Sequence, residues 1–469
     1  MPRLRLLLLC FVLHCAALPA AQDSVRVVVS TIVIRGNTQT KAPIILRELT
    51  FAEGDTLEAA AMTQEMERSR QNLINTSLFN TVSMGQVCMP GDTLCRVVLV
   101  EVTERWYTWP TPLFEVAEPN INTWWRNGHN LARASIGGYL IRNNFRGRRE
   151  TLQLKVRVGY APQLGLTYSV PYLNRRQTLG FSVAAAYSQV KEVAFATQQN
   201  KWKFYRSNDN PLRTETSAAA ALAWRKGLYL RQTFELRFTD LRIADTVRTL
   251  APDYIAGTNL RMPYFSFSWR LVFDNRDYRP YALRGTYVEV EAGRIGFAGR
   301  GEESPEVNLL VAGVRRYVPL GKRWFAAGML RARWMPGPVQ PYYMRRALGT
   351  SMYVRGYEYY VIDGQSYALA KAALRFQLLP TYMLRFKWIP LEKFNSVPVA
   401  IYTGIFADAA YVQDRSSNAA DNNFLGNTWQ RSIGVGADLV TYYDLVFRAE
   451  FALNHLGERG LYLHAIAAF

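Results

Sequence analysis

From Leu113 to Phe469, bulky apolar and polar side chains change places at every second residue, in segment after segment. In Ser266–Asp274, Phe267, Trp269, Leu271 and Phe273 alternate with Ser268, Arg270 and Asp274. Val288, Val290 and Ala292 alternate with Glu289 and Glu291, and Leu445, Phe447, Ala449 and Phe451 with Arg448 and Glu450. A period of two puts the two sets on opposite faces of a strand. A soluble sandwich produces the same pattern with its apolar face inward. Here it runs for over three hundred residues with no helical spacing between segments. A soluble sheet of that size needs helices or a second sheet to cover it. The pattern therefore favours strands with apolar side chains turned to lipid and polar ones to a lumen.

Such segments begin near Leu113, Asn130, Thr151, Leu166, Gln177, Leu212, Leu228, Asn259, Gly285, Val307, Trp324, Tyr367, Val397, Trp429, Asp444 and Gly460, sixteen in all. The fold class expected is mainly β, a sixteen-stranded antiparallel transmembrane barrel over 106–469. An even number returns the chain to the side on which it entered. Asn143–Gly147 and Asp274–Gly285 then fall at turns on the side of the N-terminal unit, and Gly349–Gly364 on the far side.

No later stretch reaches the run of about 20 apolar residues that a spanning helix needs. Met1–Ala21 reads as a cleaved export signal: Arg3 and Arg5, an apolar core Leu6–Leu13, then Leu18-Pro19-Ala20-Ala21. Cys10 and Cys15 lie within it, without a lipid-anchor context. The remaining cysteines are Cys88 and Cys95. An even count in an exported chain favours a disulfide over two thiols.

Residues 22–105 form a small α/β unit in the order strand, helix, helix, strand, strand. Val25–Arg35 is the first strand and ends at Gly36-Asn37; a short helix carries Pro43. Leu57–Leu73 is a helix with Met62, Met66 and Leu73 on one stripe. Two strands flank Met89-Pro90-Gly91-Asp92, with the cysteines at the neck of that hairpin.

The formal charge of +19 is spread singly along the chain, with no basic arm or block, which argues against nucleic acid as a partner. The four histidines have no metal-ligand spacing, and neither a nucleophile elbow nor a phosphate loop occurs. No catalytic site, metal or cofactor is expected. The stretch that stands out is Gly349–Gly364, where one arginine, Arg355, sits among tyrosines and β-branched residues. It reads either as an edge hairpin with a surface arginine or as a loop folded into a cavity, its arginine meeting a carboxylate.

With these segments placed, the chain resembles the BamA/TamA-type outer-membrane superfamily, which includes the two-partner secretion transporters. The N-terminal unit resembles a POTRA domain. Val354-Arg355-Gly356-Tyr357 is similar to the motif on the loop after strand eleven. Asp274-Asn275-Arg276-Asp277, with Pro280 and Gly285, is similar to the turn after strand eight, and Asn144-Phe145-Arg146-Gly147 to that after strand two. Leu461, Leu463 and the terminal Phe469 are similar to the family's C-terminal insertion signal. Asp408 resembles the strand-thirteen aspartate and is the candidate luminal partner of Arg355. Two features depart from the family. Ala372-Ala373-Leu374-Arg375 offers no glutamate after the motif loop, and there is one POTRA unit where relatives carry several.

The resemblance implies an assembly or insertion factor of the bacterial outer membrane, its POTRA domain in the periplasm. Such a factor acts by β-augmentation at the POTRA edge and at the seam between first and last strands. It implies unfolded outer-membrane clients, outer-membrane lipids and assembly-complex lipoproteins as partners. The alternatives are a two-partner-type secretion transporter and an accessory barrel without insertase activity.

Overall fold

The computed structural model describes residues 25–89, 91–208, 210–297, 304–386, 396–416, 421–441 and 444–465. The export signal and Phe469 lie outside them. Among the described residues no helix is long and apolar enough to cross a membrane, which says nothing about strands.

The N-terminal domain contains β1 (Arg26–Arg35), α1 (Ala42–Leu46), β2 (Thr56–Glu58), α2 (Ala59–Ile74), β3 (Phe79–Met89) and β4 (Asp92–Glu104). The sheet order is β2-β1-β4-β3, with β1 and β4 parallel. Met62, Met66, Ser69 and Leu73 recur at three- and four-residue steps on α2, so one stripe of that helix is buried. It packs with Val27, Val29, Ile45, Phe79, Val98 and Val100 in one core. Leu57 and Glu58, expected as the start of the second helix, belong instead to the edge strand Thr56–Glu58, paired to Arg26–Val28.

The expected Cys88–Cys95 disulfide is not formed, and both cysteines are free. The hairpin register sets Cys88 opposite Arg96 and breaks at Met89↔Asp92. Cys95, one residue before Arg96, points to the other face of the sheet. A register offset of one residue separates side chains that a bridge needs on one face.

Sixteen further strands form one antiparallel sheet with an uninterrupted neighbour order. They are called wall strands here and numbered along the chain. Strand 1 is Thr108–Val116, 2 is Ala134–Phe145, 6 is Arg213–Lys226, 8 is Arg261–Asp274, 9 is Gly285–Phe297 and 11 is Trp324–Trp334. Strand 12 is Ser366–Arg385, 13 is Ser396–Gln413, 14 is Trp429–Val440, 15 is Val446–Asn454 and 16 is Arg459–Ala465. Leu330, Ile405, Ile433, Phe451, Leu461 and Leu463 are exposed, whereas Glu289, Lys371, Asp408, Asp438, Arg448 and Glu450 are buried. The polar face is thus the inner one. Wall strands 1 and 16 are the two ends of the hydrogen-bonded order.

Wall strand 12 is the longest, with 20 residues. Its ladder to strand 11 stops at Trp324↔Phe376, and the rest pairs with strand 13 alone. This overhang leaves Leu378, Leu379, Tyr382, Met383 and Leu384 exposed at the end that carries the N-terminal domain.

The N-terminal domain is held to the turns at its end of the wall. Glu48, buried just after α1, accepts from Arg225 Nη1 at 2.6 Å and Nη2 at 2.7 Å and from the Tyr172 hydroxyl at 3.1 Å. Burial alone would push this carboxyl up; the Arg225 hydrogen bonds and charge, with Arg149 and Arg47, outweigh it and hold it at about 2. Asn75 Nδ2 donates to Arg276 O and Asp277 O, and Arg105 pairs with Asp444 at 2.9 Å. Between domain and wall lies a cavity of about 790 Å³, whose lining includes Arg149, Arg225, Arg231, Arg276 and Arg279.

Candidate functional site

Arg355 lies in the long connection between wall strands 11 and 12, which folds back inside the sheet. Val354, Tyr357, Tyr360 and Ile362 bury themselves with Leu369, Ala410 and Val412, and this apolar packing carries the arginine inward. The structure brings Arg355 and Asp408 together. Arg355 Nε donates to Asp408 Oδ2 at 2.9 Å, Nη2 also donates to that carboxylate, and the Arg355 main-chain N adds a bond of 3.0 Å. The guanidinium lies 3.9 Å over the Phe406 ring. Both partners are under 5 % exposed (Arg355 3 %, Asp408 4 %), so neither charge is left to water. Asp408 shares its face with Tyr402 and Phe406, all buried, which settles the facing that alternation left open.

The remaining partners come from elsewhere. Ala373 supplies no carboxylate; Ala372 O accepts from Arg355 Nη2 at 3.3 Å, and Glu450 of wall strand 15 takes Nη1 at 3.3 Å. Lys371 Nζ stands 3.7 Å from Asp408. Glu450 belonged to the polar set of an alternating segment, but nothing in its spacing pointed to Arg355.

Gly356 has φ +86°, and an added Cβ would sit 3.1 Å from Ala452 Cβ. Only glycine makes that turn without strain. The Tyr357 hydroxyl donates to Arg431 O at 3.0 Å, and Asn454 Nδ2 donates to Gly356 O at 2.9 Å.

The turn after wall strand 8 enters from the opposite end. Arg276 bonds Asp274 through Nε at 2.8 Å and Nη2 at 3.0 Å, and Arg279 lies 3.0 Å from the same carboxylate. Gly285, at φ +113°, passes so close to Arg276 that a Cβ would lie 2.6 Å from its Cα. Pro280 precedes Tyr281, whose hydroxyl donates to Asp438 at 2.7 Å inside the wall. Asp438 also accepts from Arg448 at 2.6 Å, and Arg448 lies 3.8 Å from Glu450. Tyr281, Asp438, Arg448, Glu450, Arg355 and Asp408 thus form one unbroken polar chain that joins the two ends of the interior. Sequence motifs marked its two ends and missed its middle.

Glu358, the residue after the motif, meets Glu450 and His464 inside. His464 Nε2 is 3.6 Å from each carboxylate, and its ring stacks on Tyr353. Burial, against the pull of His464, pushes the Glu358 carboxyl up. Leu461 and Leu463 of the terminal segment are exposed on the outer face.

A small mixed domain under a sixteen-stranded wall, with an arginine-bearing loop locked inside, defines a POTRA-plus-β-barrel protein. Residues 144–443 match the Omp85 superfamily domain, and residues 27–105 match the POTRA model described as a surface antigen variable number repeat. The chain belongs to the Omp85 superfamily. BamA from Haemophilus ducreyi lacking POTRA domains 1–3 has a similar structure, with a TM-score of 0.53 at 14 % identity, covering 94 % of this chain and 85 % of that one. CdiB from Escherichia coli is similar at a TM-score of 0.52 and 12 % identity, covering 94 % and 76 %. No curated relative matches the chain by sequence.

Proposed function

We propose that this protein assembles or inserts β-barrel clients in the bacterial outer membrane, with its POTRA domain in the periplasm. The observation that carries the reading is the seam. Among the described residues no ladder joins wall strands 1 and 16, the ends of the sheet order. Strand edges that meet lipid leave main-chain groups without water, so an incoming strand that satisfies them gains its own hydrogen bonds in doing so. The interior, by contrast, is occupied from both ends by the motif loop and the Tyr281 turn, which suits lateral delivery to lipid better than passage through a pore. The chemistry is pairing, and it calls on no cofactor. Unfolded outer-membrane proteins are the clients, the surrounding lipids the destination, and lipoproteins the accessory partners.

Secretion of a dedicated partner through the lumen is the second reading, favoured by the likeness to CdiB. Reconstitution separates the two. Liposomes carrying the protein should convert an added urea-unfolded outer-membrane barrel to its heat-shiftable folded form faster than empty liposomes do. No acceleration, together with delivery of a co-expressed soluble partner to the cell surface, would overturn insertion in favour of secretion.

A further inference from the structure

Inside the wall, three side chains from separate segments turn unpartnered atoms toward one point. Glu358 follows the motif, Glu450 stands on wall strand 15 and His464 on wall strand 16. One ligand atom from each lies within 4.8 Å of the other two. His464 Nε2 is 3.6 Å from Glu358 Oε1 and 3.6 Å from Glu450 Oε2, too far for a hydrogen bond to either. Among the described residues none of these three atoms has a hydrogen-bond partner, and neither has the second Glu358 oxygen. Glu358 is 1 % exposed and Glu450 2 %. A carboxylate buried without a donor is costly, and it takes up a proton or a cation.

The surroundings hold each group in that orientation. Glu450 gives its other oxygen, Oε1, to Arg355 Nη1 at 3.3 Å, with Arg448 Nε 3.8 Å away, which leaves Oε2 for His464. The main chain of Glu358 is fixed from α3 (Ile121–Arg126). Thr123 Oγ1 donates to Glu358 O at 2.9 Å, and Asn120 Nδ2, at the start of that helix, donates to the same carbonyl. Among the described residues no lysine or arginine reaches the Glu358 carboxylate at ion-pair distance, and His464 does. The His464 ring stacks on Tyr353 with centroids 5.3 Å apart, and its Nδ1 faces the Tyr353 hydroxyl at 3.4 Å. With the proton on Nδ1, donated to that oxygen, Nε2 turns a lone pair to both carboxylates. That is the tautomer of a metal-ligating histidine, fixed by the partner of its other nitrogen.

We propose that Glu358, Glu450 and His464 bind one divalent transition-metal cation, zinc, inside the wall. Two ligands about 2.1 Å from a tetrahedral ion stand about 3.4 Å apart, close to the 3.6 Å found on both sides of His464 Nε2. One imidazole with two carboxylates suits zinc, whereas magnesium and calcium take oxygen ligands. The His464 side chain keeps 16 % of its surface exposed, which leaves an entry for the ion and a fourth position for water. Bound there, the cation joins the motif loop to the last two wall strands. Spacing along the chain carries no sign of this site, because its ligands come from three segments that only the fold brings together. The site stands independently of the client reading above.

Calorimetric titration with zinc chloride tests it on the full chain in detergent, stripped with EDTA and carrying no histidine tag. Cys88 and Cys95, both free thiols, are replaced by serine so that they take up no metal. The chain should bind one zinc ion, and Glu358→Gln and His464→Gln should each weaken binding by about a hundredfold or more, beyond the usual loss from an outer partner. Heat-shifted gel mobility confirms that each variant is folded and supplies a second readout. Without zinc, Glu358→Gln should unfold at or above the temperature of the unaltered chain, because it removes an unpaired buried charge. With zinc that order should reverse. No zinc uptake by the unaltered chain overturns the site. Uptake that Glu358→Gln and His464→Gln leave undiminished puts the ion elsewhere and overturns it as well. Displacement of zinc by an equal concentration of magnesium overturns the assignment of a nitrogen ligand. A lower unfolding temperature for zinc-free Glu358→Gln would show its carboxylate already paired, and an order that zinc leaves unchanged overturns the link to the motif loop.

Discussion

Glu48→Gln should loosen the POTRA domain from the wall, and its cost follows from the carboxyl's acidity. Glu48 is 3 % exposed and bonded twice by Arg225, with Arg149 Nη1 at 3.4 Å. Its carboxyl titrates at about 2 instead of 4.5. At about 1.4 kcal/mol for each tenfold change in acidity, that difference is on the order of 3 kcal/mol of stability at neutral pH. Glutamine keeps the shape and removes the charge, leaving two arginines facing a neutral amide. Because the folded value is depressed, the stabilisation is fully present above pH 4.5 and is lost as the pH falls toward 2. The assay is a urea titration of the full chain in detergent, read by the anisotropy of a dye on Cys88 in a Cys95→Ser background. At pH 7 the variant should release the domain with a free energy lower by about 3 kcal/mol, and near pH 2 the two chains should converge. A difference that is below about 0.5 kcal/mol at pH 7, the size of an ordinary surface change, or that persists unchanged at pH 2 would refute the reasoning.

Arg355→Ala and Asp408→Ala should each lower client insertion, with a loss of roughly 3–5 kcal/mol in the hold on the motif loop. The double variant should be little worse than either, and fully additive losses would reject the pair. Arg355→Lys should not restore activity, since an ammonium cannot make the bidentate contact. Unheated protein should run faster on a denaturing gel than boiled protein; identical mobility would count against the barrel. Both Cys88 and Cys95 should be alkylated without a reducing step, as the hairpin register requires, and mass spectrometry finding them protected would show that the register is wrong.

The wall was legible because its signal is repeated: sixteen segments, each ambiguous alone, share one period of two. Sites carried by local motifs were legible too, since Arg355-Gly356 and Asp274 to Gly285 need particular backbone shapes that few residues satisfy. Asp408 could be named only through resemblance, because its facing depended on which side of strand 13 the wall buries. Glu48 carried no signal, and Glu450 none that pointed to Arg355. Their partners lie 177 and 95 residues away, and such contacts follow from the folding of the whole sheet, not from spacing. The cysteines misled for a related reason. Six intervening residues are compatible with a bridge, but a single bulged position in the turn decides the face.

The overhang of wall strands 12 and 13 has a consequence for the bilayer itself. Twenty residues span about 66 Å when extended, or about 47 Å along the membrane normal at a 45° tilt, against an apolar band of about 25 Å. The excess lies at the end that carries the POTRA domain, where Leu378, Tyr382 and Leu384 are exposed. Lipids beside this flank meet an apolar surface taller than their own chains, and they stretch, or the barrel leans, to cover it. Leaning toward the tall flank shifts the opposite side of the barrel relative to the membrane midplane. The height of the apolar surface therefore varies around the perimeter.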